Sequence, residues 1–146
     1  MVDALERLIA LEDIRAVKAR YFRCVDSQDW DGFAAQFAAD AVFDISDDLP
    51  DTVVHGAANI ADKARTSLVG CQSVHHGHCP EIELLSPTTA RAIWAMEDML
   101  RWGDPSAPIR ELHGYGHYHE TYEKIAGRWV IKTLKLTRMR VDTVPR

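Results

Sequence analysis

Seven histidines, and one carboxylate in the middle of an apolar strand face, are the residues of this chain best suited to moving protons. Across 89–102, Ala90, Ala92, Trp94, Met96, Asp98, Leu100 and Trp102 alternate with Arg91, Ile93, Ala95, Glu97, Met99 and Arg101. Side chains two apart share a face of a strand, so Asp98 interrupts a face that is otherwise apolar. An ionised carboxylate there is costly unless it is paired, or unless a bulge turns it outward. Just upstream, His75, Gly77 and Cys79 share one face, and His76 and His78 share the other. A pair between Asp98 and His75 on neighbouring strands would satisfy both groups. Imidazole changes charge near neutral pH, and a carboxylate can orient it as a general base. The bland counterpart is a hydrogen-bonded core histidine with no chemistry. A third segment places His113, Tyr115, His117 and His119 on one face.

Other chemistries have less to stand on. His76 with His78, and His117 with His119, are His-x-His pairs. A metal site needs a full donor set and a supporting shell, so no metal is expected. No serine lies in a G-x-S-x-G elbow, and no glycine loop matches a phosphate cradle. The acidic stretch 44–51 lacks the glycine and distal glutamate of a calcium loop and reads as a solvated loop. Cys24, Cys71 and Cys79 form no CxxC pair and no disulfide framework, which points to a reducing, cytoplasmic setting. The formal net charge of −5 argues against nucleic acid. Charged residues from Asp3 to Asp13 interrupt any apolar leader, and no apolar run is long enough for a bilayer, so no membrane partner is expected.

These side chains need a scaffold, and 146 residues suffice for a single domain, 1–146. Ile14, Val17, Tyr21 and Val25 recur at three- and four-residue steps, which predicts a helix over 4–26. Asp29 is placed to cap a short second helix carrying Trp30, Phe33 and Phe37. A short strand follows at 41–45 and a third helix at 57–68. Beyond Gly70 come four strand-like segments, at about 73–86, 89–102, 110–124 and 128–142. Ser86-Pro87, the 103–108 loop and Ala126-Gly127 separate them. Helices first and consecutive strands afterwards imply an α+β domain with an antiparallel meander. In the last segment Trp129 and Ile131 choose one face while Leu134, Leu136 and Arg138 choose the other. A bulge near 132–133 would reconcile them.

Four stretches carry a family resemblance. They are Lys18-Ala-Arg-Tyr21-Phe-Arg-Cys-Val-Asp26 with Asp29-Trp30, Val74-His75-His-Gly-His-Cys-Pro80, Trp94-Ala-Met-Glu-Asp98, and Tyr122-Glu-Lys-Ile-Ala-Gly127-Arg-Trp129. Together they resemble SnoaL-like dehydratases and cyclases of the nuclear-transport-factor-2-like superfamily, nearest to the bile-acid 7α-dehydratase-like and scytalone dehydratase-like groups. The resemblance implies a cone, with a curved, mostly antiparallel sheet wrapped around three N-terminal helices and a pocket at its mouth. It implies Tyr21, Asp26, His75, Asp98 and Arg138 as catalytic positions. Phe22, Phe37, Trp94, Met96, Leu100 and Trp102 are the expected pocket residues. His117 and His119, which with His113 are additions to the family pattern, would either join them in contacting substrate or face solvent. The implied reaction is a cofactor-free elimination of water beside a carbonyl of a small hydrophobic, hydroxylated polycyclic or polyketide-like substrate. His75 would be the base, oriented by Asp98 or Asp26. Tyr21 would donate to the enolate oxygen, and Arg138 would support that charge or bind an acidic tail of the substrate. Isomerisation, ring closure and ligand binding without catalysis are the alternatives. A homodimer or homotrimer through the outer sheet face is also implied, with Ile93 and Met99 on that face.

Overall fold

The computed structural model describes residues 3–146. The first helix, α1 (Ala4–Asp26), starts on a capping box. Asp3 accepts from the Glu6 N–H at 2.8 Å, and the Asp3 N–H donates to the Glu6 carboxylate at 3.2 Å. Two of the donors that a helix start leaves unpaired are thereby satisfied. Ile14, Val17, Tyr21 and Val25 form the expected buried stripe, and Lys18 lies within it. Asp29 caps α2 (Trp30–Ala34) by accepting from the Gly32 N–H at 2.9 Å.

Phe37 does not belong to α2. It opens β1 (Phe37–Asp44), which pairs with the short β2 (Val53–His55). After α3 (Ala57–Ser67) come β3 (Cys71–Ser86), β4 (Thr89–Trp102), β5 (Ile109–Ile125) and β6 (Arg128–Pro145). The six strands form one sheet in the order β2-β1-β6-β5-β4-β3. Every pairing is antiparallel except β1 with β6. The curved sheet wraps the helices, which is the expected α+β cone.

Turn chemistry fixes the hairpins. Ala126 and Gly127 both have positive φ, 49° and 79°, so the β5–β6 connection is a two-residue turn whose twist suits the strands it joins. Two bulges then decide what faces inward. In β3 the register slips between His78 and Glu81, where Cys79 has φ 29°. His75 and Gly77 face inward before this bulge, and Ile82 and Leu84 after it. Cys79, expected beside His75, is therefore exposed. In β6 the slip leaves Lys132 unpaired opposite the Thr121–Tyr122 step. Trp129 and Ile131 are buried on one side of it and Leu134 and Leu136 on the other, as the expected bulge requires. Among the described residues, no helix is long and apolar enough to cross a membrane.

Candidate active site

Register sets the concave face in rows. His75, Asp98 and Gly114 form one row, and Gly77, Met96, Gly116 and Arg138 the next. Trp94, Tyr118 and Leu136 follow, then Ala92, Glu120 and Leu134. The face thus runs from ionisable groups at the α1 C-terminal end to an aromatic region deeper in, with Glu120 beyond it.

α1 ends on Asp26, where a negative charge is disfavoured by the helix dipole. The residue is held there by β3. Asp26 Oδ1 lies 2.6 Å from His75 Nδ1 and accepts from the Ser73 hydroxyl at 2.9 Å. Its Oδ2 accepts from the His75 backbone N–H at 2.8 Å. A carboxylate only accepts, so Nδ1 of the neutral ring carries the hydrogen and Nε2 keeps its lone pair. Among the described residues, Nε2 has no hydrogen-bond partner within the protein. The His75 side chain is 11% exposed and that of Asp26 24%, so the pair sits at an opening.

Asp98 and His75 are direct cross-strand neighbours, yet they do not pair with each other. Asp98 belongs to Arg138, which reaches it from β6, two strands away, across β5. The guanidinium meets both Asp98 oxygens at 2.8 Å. It also meets both oxygens of Asp48, at 2.7 and 2.8 Å, and Nη1 touches Met96 Sδ at 3.6 Å. Five contacts occupy the five N–H bonds of the group. Burial opposes its charge, but Asp98 and Asp48 outweigh that and hold it more firmly protonated than an ordinary arginine. Asp47 adds a bond to the Arg138 N–H at 3.1 Å. The stretch 44–51, expected to be merely solvated, thus docks on the mouth of the cone through Asp47 and Asp48.

Glycine makes this crossing possible. A Cβ on Gly114 would overlap both Asp98 Oδ1 and Arg138 Nη1. Gly114→Ala should therefore push the ion pair apart and cost about 1–3 kcal/mol of stability, the usual range for overpacking. Gly103, which has nothing within 4 Å of a built Cβ, is the control, and Gly103→Ala should be nearly neutral in the same urea titration. Gly77 serves in the same way, because a Cβ there would come within 2.8 Å of the Phe22 ring.

Deeper still lies a second charged pair. Lys18 and Glu120 meet at 2.5 Å with both side chains fully buried. Burial pushes the Lys18 ammonium down to about 8, against the opposing pull of Glu120. The ammonium also lies 3.7 Å from the Tyr21 ring centroid and 3.8 Å from that of Tyr118. The Tyr122 hydroxyl donates to Glu120 and accepts from Trp94 Nε1 at 3.2 Å. Burial, and then the charge of Glu120, drive the Tyr21 phenol well above its ordinary range, with Asp98 and Asp26 adding to the shift. Burial does the same for Tyr118. Both remain O–H donors.

Tyr21, Asp26, His75, Asp98 and Arg138 all reach the concave side of the sheet, as do Phe22, Trp94, Met96 and the half-buried Leu100 and Trp102. Phe37 is buried against Tyr21, Phe33 and Phe43. His117 and His119 face the outer side of the sheet, away from His75 and Asp98. They pair with Ala95 and Ile93 of the outer β4 face, and His119 bonds Thr137 at 3.0 Å. The inward residues of β5 are Gly114, Gly116, Tyr118, Glu120 and Tyr122. Lys18, Ser73, Asp48, Tyr118, Glu120 and Tyr122 were not expected. Lys18 carried a signal, since it falls on the stripe of Ile14, Val17 and Tyr21. So did Glu120 and Tyr118, which alternate with the histidines. The reach of Asp48 and Ser73 had none.

Comparison with known proteins agrees with this architecture. A protein of Gibberella zeae named a probable cyclase is 25% identical over 134 residues, 86% of this chain and 89% of that protein. A crystal structure from Novosphingobium aromaticivorans, assigned provisionally to the scytalone dehydratases, superposes with a TM-score of 0.85 at 18% identity, covering 98% of this chain and 97% of the other. A hexachlorocyclohexane dehydrochlorinase of Novosphingobium barchaimii superposes with a TM-score of 0.84 at 15% identity, covering 97% and 94%. The SnoaL-like domain model matches residues 6–135, and the chain belongs to that family.

Proposed function

We propose that the protein is a cofactor-free lyase that eliminates water beside a carbonyl of a small, neutral, hydroxylated polycyclic or polyketide-like molecule. The observation that carries this reading is the Asp26–His75 pair, with Nδ1 held by a carboxylate fixed at both oxygens and Nε2 without a hydrogen-bond partner among the described residues. Nε2 takes the proton next to the carbonyl, and the C–H electrons pass into an enolate. Tyr21 or Tyr118 donates to the enolate oxygen, where a preplaced donor counts most. The enolate then expels the β-hydroxyl. The imidazolium returns its proton to that leaving group, so substrate becomes product plus water and His75 is again neutral. Asp26 stabilises the imidazolium between the two steps. Trp94, Met96, Phe22 and Leu100 offer an apolar wall that keeps bulk water from the enolate.

Neutrality of the substrate follows from Arg138. With all five N–H bonds taken by Asp98, Asp48 and Met96, it has none for an acidic tail. The mouth also carries Asp26, Asp47 and Asp48. A carboxylated substrate analogue should be turned over about 10-fold or more less efficiently than its methyl ester, because like charges brought together cost several kcal/mol. A carboxylate preferred over its ester would reverse this assignment.

The likeness to a probable cyclase favours a second outcome, ring closure through the same enolate. Mass spectrometry of products from a panel of neutral hydroxylated polycyclic ketones separates the two. Loss of one water with a new conjugated double bond supports elimination, whereas an isomer of unchanged mass supports closure or isomerisation. Product formed equally well by His75→Ala would remove this site from either reaction. We further propose that the protein is cytoplasmic and forms a homodimer or homotrimer.

A further inference from the structure

On the outer face of the sheet, behind the Asp26–His75 pair, three imidazoles gather around one carboxylate. His76 and His78 project from β3, the edge strand, on the side opposite His75. Glu97 stands beside them on β4, as the cross-strand partner of His76. Its Oε1 lies 3.2 Å from His78 Nε2 and 3.7 Å from His76 Nδ1. The three ligand atoms all fall within 4.8 Å of one another. Nitrogen and oxygen ligands at zinc distances in a tetrahedron stand about 3.3 Å apart, so the Glu97–His78 spacing already matches and the Glu97–His76 spacing is a few tenths of an ångström long. The two imidazole side chains are about half exposed, so small rotations can close the others.

A supporting shell is present as well. Glu97 Oε2, the oxygen facing away from the pair, lies 2.9 Å from His113 Nε2. His113 Nδ1 lies 3.2 Å from the Tyr115 hydroxyl, with the two rings stacked. The phenol donates to Nδ1, which leaves the hydrogen on Nε2 to donate to Glu97. Fixing the second oxygen of a ligating carboxylate in this way is what outer-shell groups do around metals. We propose that His76, His78 and Glu97 form a binding site for a zinc-class divalent cation, with His113 orienting Glu97 and solvent completing the coordination. Two imidazoles and a carboxylate favour such an ion over magnesium or calcium, which prefer all-oxygen sets. The ion would tie edge strand β3 to β4 one residue from His75 and next to the bulge at Cys79.

Calorimetric titration of the tag-free protein with zinc chloride, at neutral pH in a non-chelating buffer, tests this. One ion should bind with micromolar affinity, and the melting temperature should rise with zinc by mass action. His78→Ala and Glu97→Gln should each weaken binding by about 10-fold or more, and His113→Phe by about 10-fold, as outer-shell losses do. His117→Ala and Cys79→Ser should leave the affinity unchanged. Magnesium at millimolar levels should not compete. Absence of zinc binding, or affinity retained in His78→Ala, or binding lost in Cys79→Ser or His75→Ala but kept in His78→Ala, would overturn the assignment. All these positions but His75 are exposed or half-buried, and an unchanged far-ultraviolet spectrum confirms that each variant is folded.

Discussion

Asp26→Asn will lower turnover on any accepted substrate by about 10²–10⁴-fold, the range over which general-base catalysis and its orienting carboxylate operate. The reason lies in a count of acceptors. Asp26 receives three hydrogen bonds on two oxygens, from the His75 ring, the Ser73 hydroxyl and the His75 N–H. A carboxamide has only one oxygen. If that oxygen faces the ring, the amide NH₂ points at the His75 N–H, donor against donor. If the amide turns over, its NH₂ donates to Nδ1 and moves the ring hydrogen to Nε2, which then has no lone pair for substrate. Neither arrangement stabilises the imidazolium that forms on proton abstraction. His75→Ala should cost at least as much. Ser73→Ala removes one of three bonds and should cost about 10-fold or less, since the carboxylate stays fixed by the other two. Initial rates, alongside melting curves that show each variant folded, check this order. Asp26→Asn activity within a few-fold of the parent would mean that the imidazole acts without its carboxylate, and the proposed mechanism would fall.

The scaffold was legible because local signals agreed with one another. Helix stripes, the Asp29 cap, Ala126-Gly127 and period-two alternation each act over a few residues, and each yielded the element it announced. Partner choice was another matter. Asp98 and His75 were correctly set side by side on one face, but nothing in either strand could show that Arg138 reaches over β5 to claim Asp98. That reach depends on glycine at 114 and 116, where a Cβ would meet Arg138 or its backbone neighbour Thr137. The same segment left His117 and His119 open between substrate and solvent. Chemistry was read from the polar residues of one face, whereas burial follows the register with β4, which turns Tyr118 and Glu120 inward. Asp26 came from resemblance alone. On an ideal helix it lies about 140° from Tyr21, and its place as the last residue of α1, bonded to β3, sets it on the concave side with Tyr21.

Lys18→Met will destabilise the protein by about 3–5 kcal/mol, the cost of leaving a buried charge without its partner. The pair is isolated from solvent, with both side chains at 0% exposure. Removing the ammonium strands the Glu120 carboxylate among Tyr122, Trp94 and apolar neighbours, with one hydroxyl donor left. Methionine fills the space of the lysine stem, so a cavity contributes little and the loss reports mainly on charge. The double change Lys18→Met with Glu120→Gln should recover at least half of it, since glutamine still accepts from Tyr122 and carries no charge. Arg91→Met offers the contrast. Its partner Glu83 is more than half exposed, so that loss should stay below about 1 kcal/mol. Urea midpoints of the single and double variants measure the coupling directly. Additive losses in the double variant would show that Lys18 and Glu120 do not act as a pair. Recovery of stability without recovery of turnover would go further. It would show that the ammonium lying over the faces of Tyr21 and Tyr118 holds those two donors in place, and that this buried pair, costly as it is to solvate poorly, is retained for the position of the phenols above it.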